Sequence, residues 1–485
     1  VLVPFPEFSP DQSDFNPQAS QYIVNCKPTK DGWAPLGSLV AVSDALPSTP
    51  HGGISVKNDA GTWKTFAGTA TNLYSLNGAS YVWAEISRTT DGYSLSDGVF
   101  WRFARFGNYL IATAVGSAYP QYVDLGTSND FANVTNATFE AARVSVVGDF
   151  VVFGRIDGDN RKLKWSAVNN LFAYTKAQGG SDEQILPDGG AIQEIIPQAQ
   201  NAIIIQEQCI RRMVFDPASG LVFRFEVIDP EQGAFAPRSI INVGANDFVL
   251  LSKDGFKRFN GAGLVPIGSQ RVDKWFFSNC ASDKYDLVSG TLDPFDKIVW
   301  WRFEKADGVS LRLGYHWQLD RWCYSTTDAL DLFPSATAGL TLTELTTLYG
   351  TIAGMPYALG SRFYQGGIPG LAGFTADYKY GFFDGSNLEA SIRTERKQLA
   401  YPRRAITNRI RVLADTDAAT VKIATAETPN GTMTFGSALS RQTGQPFINS
   451  RASGHFHQFE VVIPAGTTWS NATAIDVQFT DGGGR

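Results

Sequence analysis

His455 and His457 stand one residue apart, the first side chains in this sequence whose spacing could do chemistry. Alternate residues share a face of a strand, so His-x-His could turn two imidazoles toward one metal ion. The same face runs on through Phe459, Val461 and Ile463, which argues for a pair turned into a core or an interface. His51 and His316 are the remaining histidines, and no third ligand is identifiable. The expectation is that no metal centre is present.

Other constellations resolve the same way. "NDAGTWKTF" at Asn58 is similar to the Asp-box of sialidases: Asp59 and Gly61 fit, but Thr62 and Trp63 come one residue early. A hairpin turn is the expectation there. "DGDN" at Asp157 lacks the later ligands and closing Glu of a calcium loop and reads as a turn. A pair of catalytic carboxylates could come from distant parts of the chain, and nothing singles one out. No P-loop, nucleophile elbow or HExxH motif is present. The expectation is a protein without catalytic centre or cofactor.

The densest charge cluster is "RTERKQLAYPRRAITNRIR", carrying Arg393, Arg396, Lys397, Arg403, Arg404, Arg409 and Arg411 against Glu395. Arg409 and Arg411 alternate with Ile410 and Val412, which places them on the outer face of a strand. These seven residues are candidate contacts to phosphates or to an acidic partner subunit. A solvated face competes with that reading for each residue taken singly. As a group, an intersubunit role is favoured over DNA, because a gripping channel would impede movement of a duplex.

The elements that must position these residues are strands. In "LRLGYHWQL", Leu311, Leu313, Tyr315, Trp317 and Leu319 share one face, and Arg312, His316 and Gln318 the other. "LVFRFEVI" from Leu221 and "AIDVQF" alternate likewise. Asp91-Gly92, Asp157-Gly158, Asp254-Gly255, Asp307-Gly308 and Asp384-Gly385 each suit a tight hairpin. Amphipathic helical stretches are hard to find. The class is all-β.

Strand openings recur at "YLIATA" (Tyr109), "DFVVFG" (Asp149), "NAIIIQ" (Asn201), "DFVLLS" (Asp247) and "KIVWWR" (Lys297), spaced by 40, 52, 46 and 50 residues. "GGISVKN" before them and "GMPYALG" after them are further candidates. A period near 45 with several strands per unit predicts a β-propeller of six or seven blades over residues 51–380. An irregular double sandwich is the competing architecture. Residues 1–50, rich in Pro, Ser, Asp and Asn, read as an extended arm. Residues 381–485 carry 11 Lys and Arg against 9 Asp and Glu, so they are +2 where the rest is −8, and they read as a separate β-sandwich.

Composition limits the functions open to such a chain. At 485 residues it exceeds one ordinary core unless the architecture repeats or is a large barrel. Only 18% of residues are charged, which suits an all-β protein with much surface in subunit contacts. A net charge of −6 argues against a sequence-reading nucleic-acid binder but allows a passage whose lumen lets a duplex slide. Cys26, Cys209, Cys280 and Cys323 form no CxxC pair and read as buried free thiols, as in a reducing cytoplasm. The opening "VLVPFPEFSPDQ" lacks the regions of a signal peptide and no apolar run reaches membrane-span length, so a soluble protein is expected.

"FWRFARFGNYLIATAVGSAYPQYVDLGTSNDF" and "AARVSVVGDFVVFGRIDGDNRKLKWSAVNN" resemble the nozzle proteins of short-tailed bacteriophages, also called packaged-DNA stabilisation proteins. The shared pattern is an aromatic-rich "WRFARFG" before a strand, then "VGDFVVFG", a hairpin and "KWSAVNN". "IVNCKPTKDGWAPLGSL" near the start and "IPAGTTWSNATAIDVQFTDGGGR" at the end are similar to the family's corresponding segments. The sequence departs at "RASGHFHQFEV", where the family pattern has an Arg in place of Gly454 or His455. The resemblance implies a propeller protein of the virion tail, assembled in the host bacterial cytoplasm. It implies a homohexameric ring below the dodecameric portal adaptor, which extends the channel, retains packaged double-stranded DNA and passes it on ejection. Tail fibres or spikes would be further partners, with no membrane insertion. A carbohydrate-binding or carbohydrate-cleaving propeller that recognises a receptor is the alternative, and it requires an exposed aromatic-and-carboxylate pocket. A fibre-anchoring collar is a third reading.

Overall fold

Four of the five recurrent openings are second strands of four-stranded antiparallel sheets, and the fifth, at Lys297, leads into the second strand of a nine-stranded one. In a computed structural model of the chain, residues 1–482 are described except 79, 91, 128, 337–342, 344, 347–349, 352–365 and 368. The second sheet begins at Arg102–Phe106 and continues with Tyr109–Thr113, the third runs from Ala141–Val147 into Phe150–Ile156, and the fourth from Ile192–Gln198 into Asn201–Gln206. The fifth starts with Ile241–Gly244 and Asp247–Ser252, the sixth with Ser289–Asp293 and Ile298–Glu304. A first sheet, Gly53–Lys57 to Trp83–Glu85, precedes them. A seventh follows, built from Asp331–Ser335, Gly370–Phe374 and Lys379–Phe382 and completed by Val40–Ala45 from near the start of the chain. The protein is mostly β, and this succession of four-stranded sheets is consistent with a β-propeller.

The openings recur because a second strand is covered on both faces. Ala202–Ile205 and Phe248–Leu251 are fully buried, so they read as unbroken apolar runs rather than alternating ones. Each such Ile, Leu or Phe contributes roughly 1.5–3 kcal/mol of burial, against the entropy of ordering it. The last strand of the third sheet, Asp182–Ile185, is by contrast mostly polar and partly exposed. Packing links each sheet to the next. Val56, Phe66 and Leu73 meet Leu110 and Val123, while Ile203 and Ile205 meet Phe248 and Leu250. The first strands of the second and third, third and fourth, fifth and sixth, and sixth and seventh sheets touch. Asp331–Ser335 returns against Gly53–Lys57, where Phe333 and Phe374 share a cluster with Ala67 and Tyr74. The circuit therefore closes.

Beyond the seventh sheet the chain forms two facing layers. Ala405–Ala414 pairs with Ala472–Asp481 in one. Phe456–Ile463 lies between Ala390–Arg393 and Thr420–Ala426 in the other. Ile410, Ile475 and Val477 share a core with Val421, Phe459 and Val461. The second layer is hydrogen-bonded to the sixth sheet, because Ile23–Val24 pairs with Arg321–Thr326 on one side and Ala390–Arg393 on the other.

Several expectations need correction. The first fifty residues are extended but not a free arm: Leu2–Pro4, Cys26–Pro28 and Trp33–Pro35 are strands of the C-terminal layer. Their short apolar pieces, Val3, Cys26 and Trp33, are fully buried there. "GGISVKN" supplies the first strand of its sheet, whereas the second is Trp63–Gly68. "GMPYALG" and Asp91 lie outside the described residues. Asp157-Gly158, with φ of +49° and +81°, turns between paired strands, and the Asp254-Gly255 and Asp307-Gly308 turns also join paired strands. Asp384-Gly385 does not: it leads to Ala390–Arg393 and bonds back to Ser38. Arg312, assigned to a polar face, is 1% exposed because that face is covered by Trp300 and Phe383.

Candidate functional site

Four of the seven basic candidates are occupied within the chain. Arg393 ends its strand opposite Glu460 and donates to Glu460 Oε2 through Nη2 at 2.6 Å and Nε at 3.1 Å. Its guanidinium also lies over the rings of Tyr22 and Phe435 at 4.4 and 4.6 Å. Burial pushes the Glu460 carboxyl up, but hydrogen bonds from Arg393 and Lys422 outweigh it and hold the group below the usual carboxylate range. Arg396 pairs with Asp14 at 3.0 Å and donates to the carbonyls of Pro429 and Gly431. Lys397 reaches Glu395 at 3.4 Å, and Arg404 reaches Glu427 at 2.6 Å. These residues fasten strands and the N-terminal segment to one another.

Arg403, Arg409 and Arg411 are exposed. Arg409 and Arg411 flank the fully buried Ile410 on Ala405–Ala414, the alternation that the sequence predicts. Arg409 spreads over the ring of Phe447 at 4.2 Å. Three guanidiniums on one segment could meet carboxylates or phosphates of a partner. This exposed group is the part of the predicted site whose geometry leaves it available.

The histidine pair separates. His457 lies on Phe456–Ile463, fully buried and stacked on Phe459, and burial pulls its pKa down. His455 precedes the strand and meets Glu427 Oε2 at 2.8 Å. Among the described residues no group of three His, Cys, Asp or Glu is placed to hold a metal ion. Asp59 and Gly61 sit in the turn between Gly53–Lys57 and Trp63–Gly68, with Gly61 at φ +87°. All four cysteines are free and buried, and burial pushes the Cys280 and Cys323 thiols up to about 12. No helix of the described residues is long and apolar enough to cross a membrane.

Sequence reasoning missed a polar cavity where the sixth sheet, the N-terminal strands and the C-terminal layers meet. It measures about 380 Å³, and Lys27, Asp293, Trp300, Arg312, Asp384 and Trp469 are among its lining residues. Lys27 pairs with Asp296 at 2.8 Å. Arg312 lies between Trp300 and Phe383, at 4.6 and 4.1 Å from their rings, and its Nε and Nη2 have no hydrogen-bond partner. Burial draws its pKa down to about 10. The lone Arg inside the apolar "LRLGYHW" was the available signal, since a charge on a strand covered on both faces must meet something.

No protein-family model matches the chain, and no curated protein does. Among solved structures, it is similar to a chain of the mitotic checkpoint complex, with 9% identity, TM-score 0.38, and coverage of 71% of this chain and 98% of that one. It is also similar to YCF48 from Cyanidioschyzon merolae (11% identity, TM-score 0.36, 61% and 91% covered). A third is the SapL1 lectin in complex with alpha methyl fucoside (11% identity, TM-score 0.33, 58% and 96% covered). Nothing about activity follows from these likenesses.

Proposed function

We propose that the chain is a seven-bladed propeller with a C-terminal β-sandwich that serves as a structural nozzle of a short-tailed phage tail. Copies would join side by side as a hexamer below the portal adaptor, hold packaged DNA in and pass it on ejection. One structural observation supports the reading most: the sixth sheet continues by hydrogen bonds through Ile23–Val24 into the C-terminal layer. Blades and sandwich thereby share one ladder, the construction expected of a wall that bears load without hinging. Closure of the circuit adds to this, since a closed ring of sheets exposes only short edges. Arg403, Arg409 and Arg411 are the residues we assign to subunit or adaptor contact. The test is imaging of the assembled tail by electron microscopy. Six copies around the conduit are expected; a single copy per particle, or a position away from the conduit, refutes the proposal.

The junction cavity favours one second reading, a carbohydrate-recognising tail component. It brings Trp300 and Trp469 together with Asp293 and Asp384. Both rings are almost fully buried, at 1% and 5% exposure, so they offer little surface for stacking on a sugar. Saturable glycan binding lost in Trp469→Ala would establish it, and a blank glycan array would remove it.

A further inference from the structure

A second recess, of about 220 Å³, is lined by four arginines, Arg102, Arg143, Arg155 and Arg238, and one carboxylate, Asp286. It forms where the first strands of the sheets begin. Arg102 opens the second sheet, Arg143 lies at the start of the third, and Arg238 stands just before the fifth. Glu194 comes from the fourth and Asp331 from the seventh. Elements that are distant in sequence therefore aim side chains at one point near the middle of the circuit.

Two of the guanidiniums are neutralised. Arg102 meets Glu194 at 3.3 Å, and Arg238 pairs with Asp331 while lying 3.5 Å over the ring of Phe100. The other two have no carboxylate within ion-pair distance among the described residues. Arg143 is only 8% exposed, and it donates through Nε to the Gln193 carbonyl at 2.6 Å and through Nη1 to the Ala142 carbonyl at 2.7 Å. Its Nη2 is left over. Arg155, held at φ +59° at the end of its strand, donates through Nε to Asn160 at 3.0 Å. A buried cation beside a second guanidinium that also lacks a carboxylate is costly unless a counter-charge joins it. Burial and then Arg102 draw the Arg143 pKa down to about 9, with Glu194 working the other way and Arg155 and Arg238 adding to the fall.

We infer that this recess binds a compact oxyanion of the phosphate class, held by Arg143 and Arg155 with Arg102 and Arg238 as flanking charges. Planar guanidiniums arriving from several directions suit the three or four oxygens of such a group. Asp286 on the rim limits the net charge and disfavours a long polyanion. The ligand is free phosphate or a small phosphorylated molecule rather than a nucleic-acid backbone, because the recess is small and built from the interior ends of strands.

Isothermal titration of the full-length protein with inorganic phosphate, against chloride at equal ionic strength, tests this. Saturable one-site binding is expected. Arg143→Gln and Arg155→Gln should each weaken it by about tenfold, the equivalent of one lost charge-assisted hydrogen bond. Arg155 is half-buried, so Arg155→Gln keeps the test open if Arg143→Gln does not fold. No saturable binding to the wild type overturns the inference, as does undiminished, wild-type affinity in both variants. Binding of a short oligothymidylate where free phosphate does not bind also overturns it, in favour of backbone docking.

Discussion

Asn25 donates its backbone N–H to the carbonyl of Tyr324 at 3.0 Å from a left-handed conformation, φ +59°. Its side chain extends the tie in both directions. Oδ1 accepts from Ser325 Oγ at 2.8 Å and from the Thr326 N–H at 3.1 Å, and Nδ2 donates to the Glu389 carbonyl at 2.8 Å. One residue thus fastens the sixth sheet to the start of the C-terminal layers.

Replacing it should be expensive. Asn25→Ala loses four side-chain hydrogen bonds, one of them from Thr326 Oγ1, and places a side chain that disfavours positive φ, a cost of about 2–4 kcal/mol. Asn25→Gly keeps the conformation and should cost visibly less. Urea midpoints of the two variants check this; equal losses would mean that the backbone conformation contributes nothing.

Arg312 gives the opposite expectation. A buried guanidinium with two unpartnered nitrogens is poorly compensated, so Arg312→Met should be neutral or stabilising by about 1–2 kcal/mol. Arg312→Ala should destabilise by leaving a void between Trp300 and Phe383. A large loss in the Met variant would show that the cavity's carboxylates already compensate the charge.

Asp273 supplies a pH dependence. Burial, and then the negative charges of Asp11 and Asp254, push its carboxyl up to about 6, although it accepts the Phe256 N–H at 3.0 Å. A folded pKa above the unfolded value of about 3.9 means that the native state holds the proton more tightly. Its stabilising contribution is full below pH ~4 and is lost as pH rises through ~6. Partial exposure reduces the effect to on the order of 1–2 kcal/mol. Urea denaturation of the wild type and Asp273→Asn across that window should converge in slope above pH ~7 and diverge below it. Parallel curves throughout would contradict the assignment.

The basic segment divides into structural and available charges. Arg393→Ala leaves Glu460, at 6% exposure, with Lys422 as its remaining ion-pair partner and should cost about 2 kcal/mol. Arg409→Glu with Arg411→Glu should leave the urea midpoint within about 0.5 kcal/mol while weakening assembly of the tail. Normal incorporation of the double variant into particles would remove these arginines from any contact.

The interior of the circuit was legible because a strand covered on both faces must be apolar throughout. "DFVVFG", "NAIIIQ" and "DFVLLS" obey that rule. The first and seventh sheets escaped because their second strands, Trp63–Gly68 and Gly370–Phe374, carry Lys64, Thr65 and glycines. Gly68 is needed there, since a Cβ would meet the Trp101 ring at 2.1 Å. The weave of the first fifty residues left no signal, because two- and three-residue strands have no measurable period. In the basic segment, alternation located the exposed Arg409 and Arg411. Nothing local revealed that Glu460 and Asp14, distant in sequence, claim Arg393 and Arg396. The arginine recess was equally hidden, since its residues converge only once the circuit closes.

Val40–Ala45 pairs with Lys379–Phe382, Val40 opposite Phe382. The stave that locks the barrel hoop is therefore made before its partner and must wait for a strand made hundreds of residues later. Until then the nascent chain carries an unlatched edge, open to neighbours on the polysome. Removing the first forty-five residues should leave that edge permanently unlatched, and the product should self-associate rather than fold as a slightly shorter ring.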